Sequence, residues 1–250
     1  MCSSDLARLR LAGRRTADGA YEQLTRDAAI DAVAAALKNA KGVVGIGSPR
    51  ASLETNHALK TLVGAANFST GVAAAEQALN AFVLDTLRAG VAHVPTLTEI
   101  EKADAVLVLG EDVLQTAPRI ALALRQATRN VTFELGKQAA IPEWADAGIR
   151  SHARTAKSPL FAANVLPTDD ADIATGTLHA APEAIAAAGA SIARVIEGGA
   201  ADGADVARAF VESAAAALAN AKRPLIVSGT SLNVIEVLQA ARAVAEALRA

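Results

Sequence analysis

The chain has 250 residues, a formal net charge of −2 and 52% hydrophobic residues, enough for one large α/β domain or two lobes with a sizeable core. That charge balance excludes the one-sided Lys/Arg surplus that nucleic-acid binding needs, and the longest uncharged run, about residues 61–75, is too short and too polar to span a bilayer. A single cysteine, Cys2, excludes an internal disulfide, a cysteine-held iron–sulfur cluster and a cysteine-based zinc site.

Residues 1–19 read as an irregular segment with a small basic cluster, Arg8, Arg10, Arg14 and Arg15. The opening residues have no apolar stretch of the signal-peptide kind. Asp27 is expected to cap a helix whose buried face carries Ile30, Val33 and Leu37. The β-branched run Val43-Val44-Gly45-Ile46 then reads as a buried strand, Gly47-Ser48-Pro49 as a turn, and Leu53 to Val63 as a helix stopped by Gly64. A further helix spans residues 73–90, and residues 98–103 form a helical turn.

Ala105 to Leu109 is the clearest buried strand. It ends in Gly110-Glu111-Asp112, and Thr116-Ala117-Pro118 opens a helix that runs to Arg129. Strands are expected at 131–133, 160–165 and 224–228, and helices near 182–196, 204–221 and 231–249. Gly198, Gly199 and Gly203 form a flexible joint. Alternating strands and helices predict an α/β fold with parallel sheet covered on both faces.

Each candidate site competes with a simpler structural role. Gly45 and Gly47 match the start of a dinucleotide fingerprint, but Arg50 stands where its third glycine belongs. No Lys-Ser or Lys-Thr pair follows the turn, which excludes a P-loop. Arg50 remains a candidate for anion binding at the helix start. Glu54 and His57 have a spacing that can hold a metal, yet no second pair accompanies them. Glu111 and Asp112 suit acid/base chemistry, ribose binding or helix capping, the last being favoured. Asp169, Asp170 and Asp172 read as a solvated turn, and Ser228-Gly229-Thr230-Ser231 as a phosphate-like turn that helix capping explains equally.

Four blocks carry a family resemblance: GIGSPRASLETNHALKTLVGAANFSTG, ADAVLVLGEDVLQTAPRIALALRQA, KSPLFAANV with HAAPEAIA, and KRPLIVSGTS. Together they resemble the G subunit of NADH-quinone oxidoreductases, the large iron–sulfur subunit of respiratory complex I, across most of residues 21–250. More distantly, the chain is similar to molybdopterin oxidoreductases. The resemblance implies an interior fragment of a much longer chain, whose [2Fe–2S] and [4Fe–4S] clusters are held by cysteines outside it. It implies two doubly wound, Rossmann-like lobes, one inserted in the other: residues 20–72 with 203–250, holding strands 43–46 and 224–228, and residues 73–202.

Catalytic relatives place a molybdenum ligand where this chain has Ala73, Ala74, Ala75 and Glu76. The turn that contacts the pterin nucleotide corresponds to Gly110–Pro118, where Glu111 and Asp112 would repel a pyrophosphate. The expectation is therefore a vestigial cofactor site, with Gly47, Ser48, Arg50, Gly110, Asp112 and Ser228 as its remnants. No catalytic residue, metal or cofactor is expected in the fragment. The implied partners are the iron–sulfur domain of the parent chain and other peripheral-arm subunits, on the cytoplasmic side of the bacterial inner membrane. The alternative is an active molybdopterin- or nucleotide-binding oxidoreductase domain.

Overall fold

The computed structural model describes residues 11–169, 172–202 and 205–249. It divides after Val72 into two units. Cys2, Arg8, Arg10, Asp170 and Gly203 lie outside the described residues.

The first unit opens with an antiparallel hairpin, β1 (Ala12–Arg15) and β2 (Tyr21–Leu24), in register from Ala12 opposite Leu24 to Arg15 opposite Tyr21. Residues 12–15, within the stretch expected to be irregular, thus form a strand. The hairpin is exposed almost throughout, so it carries no alternation to read. The Gly19 φ of +87° turns its tip, and Arg14 pairs across it with Glu22 at 2.8 Å.

Helix α1 (Arg26–Asn39) is capped by Thr25, whose hydroxyl accepts from the Ala28 N–H at 3.3 Å; Asp27 instead sits in the first turn. Its expected buried face is open: Ile30 and Val33 are both 58% exposed. Strand β3 (Gly45–Ile46) and β4 (Phe68–Ser69) pair in parallel across α2 (Leu53–Val63) and a short 3-10 turn (Ala65–Asn67). The strand expected at 43–46 thus shrinks to two residues. A Cβ at Gly45 would lie 2.8 Å from Val63 Cγ2, so glycine lets α2 press against the strand.

The second unit opens with α3 (Ala74–Arg88) and α4 (Leu97–Ile100), the latter closed by a capping box between Thr96 and Glu99. Then come β5 (Ala105–Leu109), α5 (Val113–Thr116), α6 (Pro118–Ala127), α7 (Asn130–Gln138), α8 (Asp146–Ala153), β6 (Leu160–Asn164) and β7 (Gly176–His179). The unit closes with α9 (Pro182–Ile196), α10 (Asp205–Ala219), β8 (Pro224–Ser228) and α11 (Ile235–Ala247). One four-stranded parallel sheet runs β7-β6-β5-β8.

Strand β5 is buried on both faces. Leu107, Leu109, Phe161 and Ala163 meet Ile185, Ile192, Val211, Val237 and Val244 of α9, α10 and α11. Val106, Val108, Leu160 and Ala162 meet Ile100, Ala123, Leu124 and Ala127 of α4 and α6. Leu107 and Leu109 are 0% exposed, each contributing about 1.5–3 kcal/mol by burial. Helices α9 and α11 approach closely because Gly189 faces Ala240, where an added Cβ would come within 2.9 Å.

Two expectations are corrected here, and one unexpected strand is added. Residues 131–133 lie in helix α7, whose buried positions are the small Thr132 and Gly136, one turn apart. A Cβ at Gly136 would meet Ile149 of α8 at 3.0 Å, so close helix packing decides over the β-branched composition. Strand β7 is not among the expected elements, because only Leu178 of its residues is buried. Strand β8, expected in one lobe with the strand at 43–46, pairs instead with β5, from Ala105 opposite Pro224 to Leu109 opposite Ser228.

Candidate functional site

In a doubly wound sheet, ligands meet the carboxyl ends of the strands, where the winding reverses. In the second unit that place lies between the ends of β5 and β8. Strand β5 runs into Gly110, whose φ is +71°. A Cβ there would sit 2.9 Å from Leu232 Cδ1 and 3.0 Å from Val237 Cγ1, so both conformation and space require glycine.

The next residue, Glu111, is 8% exposed. Its carboxylate crosses to the β8 turn, where it accepts from the Ser231 hydroxyl at 2.7 Å and the Ser231 N–H at 3.1 Å. The Thr116 hydroxyl lies 3.2 Å from the same group. Gly229 makes room for it: a Cβ at that position would be 2.2 Å from Glu111 Oε1. Asp112 points elsewhere, capping α5 through the Gln115 N–H at 3.3 Å. The Ser228 hydroxyl donates to the Leu109 carbonyl at 2.9 Å, tying the two strand ends together.

The first unit has its own strand-end turn. Gly47 donates to the Ser69 carbonyl at 2.8 Å. Asn56, on α2, accepts from the Ser48 N–H at 3.0 Å and donates to the Ser48 carbonyl at 2.9 Å. A Cβ at Gly47 would collide with Asn56 Oδ1 at 2.4 Å, and one at Gly71 with the Gly47 carbonyl at 2.1 Å. Exposed Arg50 donates its backbone N–H to the Ser48 hydroxyl at 3.2 Å. The candidates therefore fall in two sets, Gly47, Ser48 and Arg50 in one unit and Gly110, Asp112 and Ser228 in the other.

The remaining candidates have structural partners or open surroundings. Glu54 and His57 lie on α2, and Glu54 is exposed. Asp172 receives both terminal nitrogens of Arg125 at 2.9 Å, and this pairing holds its carboxyl below the ordinary range. Arg125 also reaches the Asp169 carbonyl at 3.0 Å. Among the described residues no group of three or more metal-ligating side chains is gathered, and no helix is long and apolar enough to cross a membrane.

The sequence marks the position of Glu111 but not its partner, 120 residues away. Asn56 is not among the sequence candidates; its one signal is a polar side chain on the helix face turned toward the strand.

These features define a doubly wound α/β chain whose strand-end turns are bound up in internal hydrogen bonds. The molybdopterin oxidoreductase family model matches residues 9–142. The chain belongs to the molybdopterin oxidoreductase family. It is 45% identical over 229 residues to the G subunit of NADH-quinone oxidoreductase from Salmonella typhimurium, a match that covers 90% of this chain and 25% of that protein. The Escherichia coli protein of the same name is 44% identical over the same length, and that of Pseudomonas putida 43% over 236 residues. The chain thus spans about a quarter of the length of these relatives. Among solved structures, a chain of the formyltransferase/hydrolase complex from Methylorubrum extorquens superposes with a TM-score of 0.60 at 19% identity, covering 95% of this chain and 57% of that one. That likeness concerns the fold alone.

Proposed function

We propose that the chain is part of the molybdopterin-oxidoreductase-like region of an NADH-quinone oxidoreductase G subunit, and that it acts there as structure rather than as a cofactor site. The observation that carries this reading is Glu111. An anion bound at the β5–β8 crevice needs donors such as the Ser231 N–H and hydroxyl, and both are given to an internal carboxylate. A diphosphate placed there would meet that negative charge at close range, where repulsion is strong in a partly buried site. The residues present therefore do not fit a pterin dinucleotide. Ala73, Ala74, Ala75 and Glu76, at the place of the metal ligand, offer no thiolate or hydroxyl.

On this reading the partners are the cluster-bearing part of the same polypeptide and neighbouring peripheral-arm subunits, at the cytoplasmic face of the bacterial inner membrane. Purification of the polypeptide at its full encoded length, followed by molybdenum analysis and pterin fluorescence after denaturation, tests it. Neither molybdenum nor pterin is expected in more than trace amount; a stoichiometric content of either overturns it.

A further inference from the structure

On the reading that the chain works inside a larger assembly, we infer that the tip of the α7–α8 hairpin docks another protein chain, one that offers an apolar pocket bordered by carboxylates. Trp144 is the chain's one tryptophan, and it stands in the turn between α7 and α8. At 87% exposure it is the most exposed of the large apolar side chains described. Single exposed leucines need no explanation, but a tryptophan leaves far more apolar area in water. Tryptophan and arginine are among the residue types that carry binding energy at interfaces.

The tip is held in shape before any partner arrives. Helices α7 and α8 are each other's main neighbours, closed on one another at Gly136 and Ile149. The Ile141 N–H donates to the Gly136 carbonyl at 2.9 Å, and the Ala145 N–H to the Pro142 carbonyl at 2.9 Å, closing a turn over Glu143 and Trp144. At the base of the hairpin, the Asn130 side chain donates to the Glu101 and Ala103 carbonyls at 2.9 and 2.8 Å. A side chain presented from a fixed turn loses little freedom on binding.

Charge sets the kind of partner. Asp146, two residues after Trp144, accepts from Arg129 and Arg150, both at 2.7 Å, so two guanidiniums share one carboxylate. Arg154 follows one turn after Arg150, and its guanidinium has no partner among the described residues. Glu134 and Lys137, three apart on α7, offset each other. Glu143 is the one further carboxylate, so across the hairpin three arginines stand against two carboxylates. Arg150 and Arg154 are both exposed. A partner that seats the indole in an apolar pocket and sets carboxylates opposite these two arginines matches both features. Rim charges of this kind steer the encounter and weaken with salt.

The test uses the assembled oxidoreductase, with the polypeptide at its full encoded length carrying photoreactive benzoylphenylalanine in place of Trp144. Irradiation should join this position to one other subunit, at a segment where mass spectrometry finds Asp or Glu beside apolar residues. Arg154→Glu, which removes no side-chain bond within the chain, should lower that yield about tenfold. No cross-link in an assembly that forms, a cross-link confined to the same polypeptide, or a yield indifferent to Arg154→Glu overturns the inference. Molybdenum content of the same preparation tests the cofactor reading separately, so each can fail without the other.

Discussion

Glu111 and Ser231 stand 120 residues apart and meet at 2.7 Å, closing the crevice between β5 and β8 with the chain's own carboxylate. The contact joins the turn after the most buried strand to the turn after the edge strand. On the proposed structural reading, this one local feature answers for both stability and ligand exclusion.

Replacing Glu111 with Ala strands the Ser231 N–H and leaves a void. The expected loss is about 2–4 kcal/mol, since hydrogen bonds to charged groups exceed neutral ones. Glu111→Gln keeps the shape and part of the bonding and should lose less. Urea unfolding of the three proteins gives the order.

Gly229→Ala brings a methyl group against the Glu111 carboxylate, at a cost of about 1–3 kcal/mol. In the double variant with Glu111→Ala the clash disappears. The two losses should therefore fall short of additivity in a double-mutant cycle, and simple addition would show that the residues do not touch.

In the first unit, Asn56→Ala removes the side chain that holds both backbone groups of Ser48. The Ser48 amide should exchange faster than in the parent chain, with amides of β5 unaffected. A separate expectation concerns packing. Ile30, Val33, Val44, Ile46, Leu53 and Leu62 are all exposed, so residues 1–72 expressed alone should bury too little to fold. Circular dichroism of that segment should show little helix.

Acid should weaken two surface ties. The Glu99 carboxyl is held below its ordinary value first by the Thr96 backbone N–H, then by the Thr96 hydroxyl and His93. Asp172 is held low chiefly by Arg125. A lowered folded-state pKa means stability that is present above the unfolded value and lost as pH falls through the folded one. Glu99→Gln and Asp172→Asn should therefore be slightly less stable near neutrality and show a shallower loss below about pH 4 in acid titrations followed by circular dichroism. Both groups are exposed, so the effects are small.

What can be read from the sequence follows the strength of local signals. Residues 105–109 are legible because five consecutive apolar residues fit a strand buried on both faces. Residues 131–133 mislead because β-branching speaks for a strand, while Thr132 and Gly136 pack helically against Ala156 and Ile149, which lie well beyond the local window. The segment 224–228 is recognisable as a strand but not its neighbour, since pairing depends on residues 119 positions distant. The site shows the same division. Position 111 is marked by its place at a strand end, whereas the use of its carboxylate depends on Gly229 and Ser231.

Whether the β5–β8 crevice takes a pterin nucleotide is decided by titrating the chain with molybdopterin dinucleotide, followed at the Ser231 amide by NMR. An internally satisfied Glu111–Ser231 contact should leave the Ser231 resonance unmoved and give no saturable heat at matched concentrations. A saturable shift of that resonance with one-to-one stoichiometry would contradict it.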